Sequence, residues 1–146
     1  MADKAVKRKT ASFAKKRILL VEDHKGVREL VAGMLTSAGY RCRAVSSGTK
    51  ALELLESGNR FDLMICDLRN KPHGIILLAR TKERFPRMPV VVMTGQCCAC
   101  TAQFAVSEMG ASAALMKPFV SEELFVTLYR VLENRRLNPL NSVGVA

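Results

Sequence analysis

The chain has 146 residues, of which 49% are hydrophobic and 25% are charged, and its formal net charge is +10. This length suits one domain with a single core, and the composition is close to the globular average, which excludes wholesale disorder and a fibrous class. No apolar run reaches the roughly eighteen residues that span a bilayer, and the run at 18–21 is too short for the core of a signal peptide. We therefore expect a cytoplasmic protein without a membrane span.

The positive charge is concentrated at the beginning of the chain. Residues 1–17 hold seven basic residues against one acid, whereas residues 18–134 hold 14 basic and 12 acidic residues and are nearly neutral. A basic terminus can bind phosphate backbones, but a solvated, disordered terminus is the commoner outcome. We therefore expect a basic, disordered arm over 1–16, a folded domain over 17–136 and a flexible tail over 137–146. Nucleic acid is not the expected partner.

Short apolar runs that are typical of strands alternate with stretches of helical periodicity. The strand-like runs are 18–21, 40–45, 62–66, 89–93 and 113–116. Apolar residues recur at helical spacing in three sets between them, which are Val27, Leu30, Val31, Met34 and Leu35; Ala51, Leu54 and Leu55; and Ala102, Ala105, Val106 and Met109. A further helix ends before Pro86. The last helix runs through Leu124, Leu128 and Val131, with Ser121 as its expected N-cap.

Alternation of this kind predicts an α/β fold with a parallel sheet and helices on both of its faces. In such open sheets the functional site lies beyond the carboxyl ends of the strands. Five polar residues stand at these ends, and they are Glu22, Asp23, Asp67, Thr94 and Lys117. We therefore expect all five at one edge of the sheet.

The three acids among these residues indicate a metal site. Carboxylates brought together repel one another, and a divalent cation offsets this repulsion. Oxygen ligands of this kind favour Mg²⁺, which readily shares its coordination shell with a phosphoryl group. Asp67 would then act as a nucleophile toward phosphorus, while the Thr94 hydroxyl and the Lys117 ammonium contact the transferred group. The sequence therefore predicts a phosphorylation site that uses Mg²⁺.

Four segments of the chain carry a family resemblance: VEDH at 21–24, FDLMICDL at 61–68, VVVMTG at 90–95 and ALMKPF at 114–119. In this order and spacing they resemble the signature segments of the response-regulator receiver domain of two-component signalling. The resemblance covers about residues 16–136. It implies a flavodoxin-like, doubly wound sheet of five parallel strands in the order 2-1-3-4-5, with five helices.

The same resemblance implies a role for each site residue. Asp67 would be the phosphoacceptor, and Thr94 and Lys117 would contact the phosphoryl group, with a cis Lys117–Pro118 bond. The expected Mg²⁺ ligands are Glu22, Asp23, Asp67 and the backbone carbonyl of Arg69. A sensor histidine kinase or phosphotransfer protein would donate the phosphoryl group. The chain would not be an enzyme beyond slow self-dephosphorylation. We expect a stand-alone receiver, a monomer or weak dimer, whose output is contact with a downstream protein target.

The sequence departs from the family pattern near the predicted site. The loop after Asp67 reads LRNKPHG and is one residue shorter than usual, so we expect weaker Mg²⁺ binding. Ala114 stands where many relatives have a Tyr or Phe whose rotation accompanies signalling. These departures leave open an alternative, a degenerate receiver that serves as an interaction scaffold without phosphorylation. His24 and His73 are interpreted as polar rim residues rather than ligands.

The five cysteines are an odd number, which favours reduced thiols over a disulfide framework. Cys97, Cys98 and Cys100 follow the fourth strand-like run, but they lack the paired C-x₂-C hairpins of structural zinc sites. Cys66 and Cys42 stand within strand-like runs, and we expect both to pack as small core residues. A metal or redox role of these thiols is therefore not the expected one.

Overall fold

The computed structural model describes residues 15–69, 74–95 and 99–137. Strands and helices alternate through this part of the chain, as predicted. The strands are β1 (Arg17–Val21), β2 (Arg41–Val45), β3 (Leu63–Asp67), β4 (Val90–Gly95) and β5 (Ala113–Lys117). The helices are α1 (Lys25–Ser37), α2 (Gly48–Glu56), α3 (Gly74–Arg84), α4 (Ala99–Glu108) and α5 (Ser121–Leu137). The predicted basic arm and C-terminal tail lie almost entirely outside the described residues, so both stay predictions.

The five strands form one parallel sheet in the order β2-β1-β3-β4-β5. This confirms the flavodoxin-like topology. The strand order reverses between β1 and β3, which is where a doubly wound sheet opens a crevice beyond its carboxyl ends. Val21 at the end of β1 is paired with Cys66 of β3, so the residues that follow these two positions are neighbours across the sheet.

Helices cover both faces of the sheet. One face packs against α1 and α5 through Ile18, Leu20, Ile65, Val31, Leu35, Leu124 and Leu128. The other face packs against α2, α3 and α4 through Leu19, Val21, Met64, Ala51, Leu55, Leu77, Leu78 and Ala105. Because successive strand residues point to opposite faces, a central strand must be apolar throughout, which explains the continuous apolar runs. Within the described residues, no helix has the length and apolar character of a bilayer span.

Three details differ from the sequence-based expectation. Leu30 and Val106 share the spacing of core residues, yet 60% and 39% of their surfaces are exposed. The spacing of apolar residues identifies the face of a helix that packs against the sheet. Residues at the margin of that face can lie beyond the sheet and stay exposed. The N-cap assignment of Ser121 is wrong, because α5 begins at Ser121 and the Leu124 N–H donates to the Val120 carbonyl at 3.3 Å. Val120 therefore occupies the capping position.

Candidate functional site

The ends of β1 and β3 place the three predicted acids together. Glu22 directly follows β1, and Asp67 is the last residue of β3. Glu22 is 1% exposed and Asp67 is 4% exposed, whereas Asp23 is exposed to solvent. One carboxylate oxygen from each acid lies within 4.8 Å of the others. The structure therefore brings Glu22, Asp23 and Asp67 into a single cluster, which we call the acid cluster.

Lys117, the last residue of β5, reaches this cluster with its ammonium group. Its Nζ lies 2.9 Å from Glu22 Oε2 and 2.9 Å from Asp67 Oδ2. Since β4 lies between β3 and β5, the long lysine side chain spans the end of β4. The Lys117–Pro118 peptide bond is cis, in agreement with the resemblance. One partly buried cation thus bridges two buried carboxylates.

Burial and neighbouring charges together set the pKa values of Glu22 and Lys117. Burial raises the pKa of the Glu22 carboxyl, and the charge of Asp67 raises it further, while the bond from Lys117 acts in the opposite sense. For Lys117, burial acts to lower the pKa, but the hydrogen bonds to Glu22 and Asp67 outweigh it, and the pKa is raised. The lysine therefore stays charged at neutral pH.

Two backbone N–H groups complete the hydrogen bonding of the buried acids. The Arg69 N–H donates to Asp67 Oδ1 at 2.9 Å, and the His24 N–H donates to Glu22 Oε1 at 3.2 Å. The His24 ring caps α1, because its Nδ1 accepts the Val27 N–H at 3.2 Å. His24 is thus a structural residue of the rim. None of the described contacts involves the Arg69 carbonyl, so its role as a metal ligand stays a prediction.

Arg28 is the site residue that sequence reasoning missed. Its Nη1 donates to the carbonyl of Glu22 at 2.9 Å and to that of Asp23 at 3.2 Å. The guanidinium therefore fixes the backbone of the loop that carries two of the acids. The sequence offered a weak signal only, a basic residue in the first turns of the helix that follows the acids.

Thr94 lies at the end of β4, next to the acid cluster. Asp67 is paired with Met93, so Thr94 stands one residue beyond Asp67 on the neighbouring strand. Its side chain is fully buried, and its hydroxyl makes a long contact of 3.4 Å with the Gly95 carbonyl. Contact between Thr94 and a phosphoryl group stays a prediction.

Ala114 is half-buried on the face of the sheet that α2, α3 and α4 cover, in register with Val92.

The predictions about His73, Cys97 and Cys98 lie outside the described residues. Cys66 is fully buried and Cys42 packs against the core, as predicted, whereas Cys100 is exposed.

We expect Cys100 to react with iodoacetamide in the native protein while Cys66 and Cys42 stay unmodified. Burial raises the pKa of the Cys66 thiol to about 12, with a further contribution from the charge of Asp67, and burial raises that of Cys42 to about 11. At pH 8 only about one in a thousand of these thiols, or fewer, is the reactive thiolate. Peptide mass spectrometry after timed labelling measures this, and labelling of Cys66 as fast as Cys100 would contradict it.

The acid cluster has the donor set that a hard cation requires. All of its ligand atoms are carboxylate oxygens, which suit Mg²⁺ and not a thiolate- or imidazole-binding metal. Lys117 neutralises only part of the negative charge, and the exposed Asp23 carboxylate has none of the described ion pairs. The residues present therefore fit a divalent cation.

A doubly wound parallel sheet with an acid cluster and a bridging lysine at its carboxyl ends defines a domain of the receiver type. The family model described as the response regulator receiver domain matches residues 18–129. The chain belongs to this family.

Relatives and solved structures agree with this assignment. An NtrX-like response regulator of Rickettsia felis is 31% identical over 85% of this chain and 26% of its own length. The DNA-binding transcriptional regulator NtrC of Klebsiella pneumoniae is 29% identical over 84% of this chain and 27% of its own. The receiver domain of NtrX from Brucella abortus superimposes with a TM-score of 0.75, at 31% identity, over 80% of this chain and 98% of that one.

The family places this chain among signalling modules. Receiver domains interact with histidine kinases or phosphotransfer proteins, generally bind Mg²⁺ at an acidic pocket, and are not enzymes in general. The chain spans about a quarter of the length of the NtrX-like and NtrC relatives.

Proposed function

We propose that this chain is a phosphoacceptor in a two-component phosphorelay, phosphorylated on Asp67 with Mg²⁺, and that it signals by protein contact in the cytoplasm. The observation that carries the proposal is the bridge from Lys117 Nζ to Glu22 Oε2 and Asp67 Oδ2, at 2.9 Å each. A carboxylate that is buried, paired with a cation and adjacent to two other acids matches what phosphoryl transfer requires. A sensor histidine kinase or phosphotransfer protein would be the donor.

The chemistry requires one exchange of bonds at phosphorus. A carboxylate oxygen of Asp67 attacks the phosphorus of a phosphohistidine, a P–O bond forms, and the P–N bond breaks. The leaving imidazole takes the electron pair and is then protonated. Lys117 would shift one of its N–H donors to a phosphoryl oxygen, and the Thr94 hydroxyl would donate to another.

Mg²⁺ would be held by Glu22, Asp23, Asp67 and the Arg69 carbonyl. When bound, it supplies positive charge to the oxygens of the transferring group. The residues of the chain position the nucleophile: the Arg69 N–H holds Asp67 Oδ1, and Arg28 holds the loop of Glu22 and Asp23.

Labelling with acetyl phosphate in the presence of Mg²⁺ tests this proposal. We expect intact-mass spectrometry to show one added phosphoryl group on the wild type and none on Asp67→Asn. Asp62→Asn is the matched control, because Asp62 accepts the Arg17 N–H at the opposite end of the sheet, and it should label like the wild type. An unlabelled wild type, or labelling that persists in Asp67→Asn, would refute the proposal.

A second candidate function is that of a degenerate receiver, an interaction scaffold that works without phosphorylation. Ala114 favours it, since an alanine has no side-chain rotamer to switch. Beryllofluoride, which mimics the phosphoryl group, discriminates the two candidates. Changes in amide spectra beyond the acid cluster favour the phosphoacceptor, whereas unchanged spectra together with absent labelling favour the scaffold.

A further inference from the structure

A cavity of about 470 Å³ lies at the outer edge of the sheet; none of the three acids lines it, but it includes Arg28, which bonds the loop of the acid cluster. Its lining residues are Arg28, Arg43, Ala44, Val45, Ser46 and Lys50. They come from α1, from the outer strand β2, from the connection that follows β2 and from the start of α2. We call it the edge pocket. Half of these lining residues are cationic, and none of them is acidic or aromatic.

The cations of the edge pocket are not neutralised within the described part of the chain. The described ion pairs involve other basic residues, on both faces and at both ends of the sheet. The Lys50 ammonium donates to the Ser46 hydroxyl at 3.1 Å, and Arg28 donates to backbone carbonyls. Three cationic side chains therefore line the same pocket, and none of them has a carboxylate within 4.0 Å among the described ion pairs. Concave surfaces of one charge sign concentrate counter-ions of the other.

Arg28 gives the pocket a fixed donor. The side chain is half-buried, and both described hydrogen bonds come from Nη1. A guanidinium has five N–H donors, so the N–H groups of Nε and Nη2 stay available to a ligand while Nη1 holds the planar group in place. Such a planar donor is suited to paired oxygens of a phosphate group.

We propose that the edge pocket binds a short polyphosphate chain, either as free inorganic polyphosphate or as the phosphate chain of a nucleotide. The volume lies within the range of about 300 to 1,000 Å³ that small-molecule sites occupy. Three cations and a hydroxyl match the charge and the acceptor oxygens of a di- or triphosphate. Since the described lining has no aromatic side chain on which a base could stack, recognition rests on the phosphate oxygens.

An adjoining cavity marks the limit of this site. It has a volume of about 300 Å³ and shares Arg43 and Lys50 with the edge pocket, but Glu53 and Leu54 also line it. The Glu53 carboxylate repels an anion there. The bound chain of phosphates is therefore expected on the side of the edge pocket that Arg28 and Ser46 line, away from Glu53. A generally basic surface would show no such preference for one side.

Titration of the ¹⁵N-labelled chain with sodium tripolyphosphate tests the proposal, without Mg²⁺ and at about 0.15 M salt to screen nonspecific attraction. We expect saturable shifts of the amide signals of residues 43–46 and 50, and of Glu22 and Asp23, whose carbonyls Arg28 holds. The double variant Arg43→Gln, Lys50→Gln should weaken binding by about tenfold or more. Its control, Arg80→Gln with Arg130→Gln, removes the same charge from exposed positions and should change affinity by less than about twofold.

Each outcome decides the question. Equal losses in the two double variants, or shifts centred elsewhere, would show general charge attraction and overturn the proposal. Titration with ATP separates the two sources: equal affinity assigns the site to the phosphate chain itself, and tighter binding assigns it to a nucleotide. Pocket shifts with single-stranded oligothymidylate but none with tripolyphosphate would overturn the proposal in favour of nucleic acid. None of these readouts depends on phosphorylation of Asp67.

Discussion

Replacing Lys117 with Met is expected to lower the free energy of unfolding by about 3 kcal/mol at neutral pH in the absence of divalent cations. Lys117 is the cation that bonds both Glu22 and Asp67, and these carboxylates are 1% and 4% exposed. Methionine conserves much of the side-chain volume but leaves two buried negative charges facing each other. Urea denaturation followed by circular dichroism measures the change. Added Mg²⁺ should restore part of the loss, since a divalent cation neutralises the same oxygens.

The pH dependence of this effect follows from the pKa shifts. The pKa of Lys117 is raised in the folded protein. Its contribution to the free energy of unfolding is therefore complete below its ordinary pKa of 10.5, and it is lost as the pH rises through the pKa of the folded state. The pKa of Glu22 is raised, so this carboxyl takes up a proton above its ordinary value of 4.5. The stability difference should therefore narrow as the pH falls from 7 toward 4.5.

Lys25→Met is the matched control for the Lys117 variant. Lys25 pairs with Glu29 on the surface of α1, where both side chains are largely exposed. An exposed pair of this kind contributes less than about 0.5 kcal/mol. A Lys117 variant that is no less stable than the Lys25 variant would show that the bridge does not stabilise the fold.

Replacing Gly74 with Ala is expected to destabilise the fold by about 2 to 3 kcal/mol and to displace the end of β3, which carries Asp67. A Cβ at Gly74 would lie 2.5 Å from the Leu68 Cα, and 2.6 Å from the carbonyl oxygens of Asp67 and Leu68. All three are backbone atoms, so none of them can move aside by a change of side-chain rotamer. Either the start of α3 or the end of β3 must shift. Denaturation and the amide signals of Asp67 and Arg69 measure both effects.

Gly33→Ala is expected to stabilise the fold, in contrast to Gly74→Ala. Gly33 lies inside α1, and nothing stands within 4 Å of the position of its Cβ. Alanine there should raise the free energy of unfolding by roughly 0.5 to 1 kcal/mol, because a glycine in a helix loses more conformational freedom on folding. If both variants behaved alike, the close approach at Gly74 would not be a constraint.

The parallel α/β sheet and the acid cluster could be predicted from the apolar runs and the polar residues at their ends, whereas the strand order was implied by the family resemblance. Residues 18–21 of β1 and 63–66 of β3 are apolar, since helices bury both faces of these strands, and Glu22 and Asp67 follow these runs directly. Parallel strands bring all carboxyl ends to one edge, so Asp67 and Lys117 meet although 50 residues separate them. No knowledge of side-chain conformation was needed for this step.

Other features depend on conformations that a pattern of apolar residues does not encode. Arg28 reaches back to the Glu22 carbonyl through a long side chain with many rotamers, and helical spacing assigns only its face. Ser121 is of a residue type that commonly caps helices, but the first hydrogen bond of α5 is accepted by the carbonyl of the preceding residue, Val120. The bridge from Lys117 to Glu22, in addition to Asp67, follows from the approach of three side chains and not from any motif.

The position of β2 at the margin of the sheet has a consequence for how copies of this chain meet. An outer strand is open to pairing with a strand of another molecule, which is a route to fibrils. Arg41 and Arg43 alternate along β2 with exposed side chains, so two β2 strands that aligned would crowd four cations together. Continuous sheets that grow from molecule to molecule through β2 are therefore disfavoured.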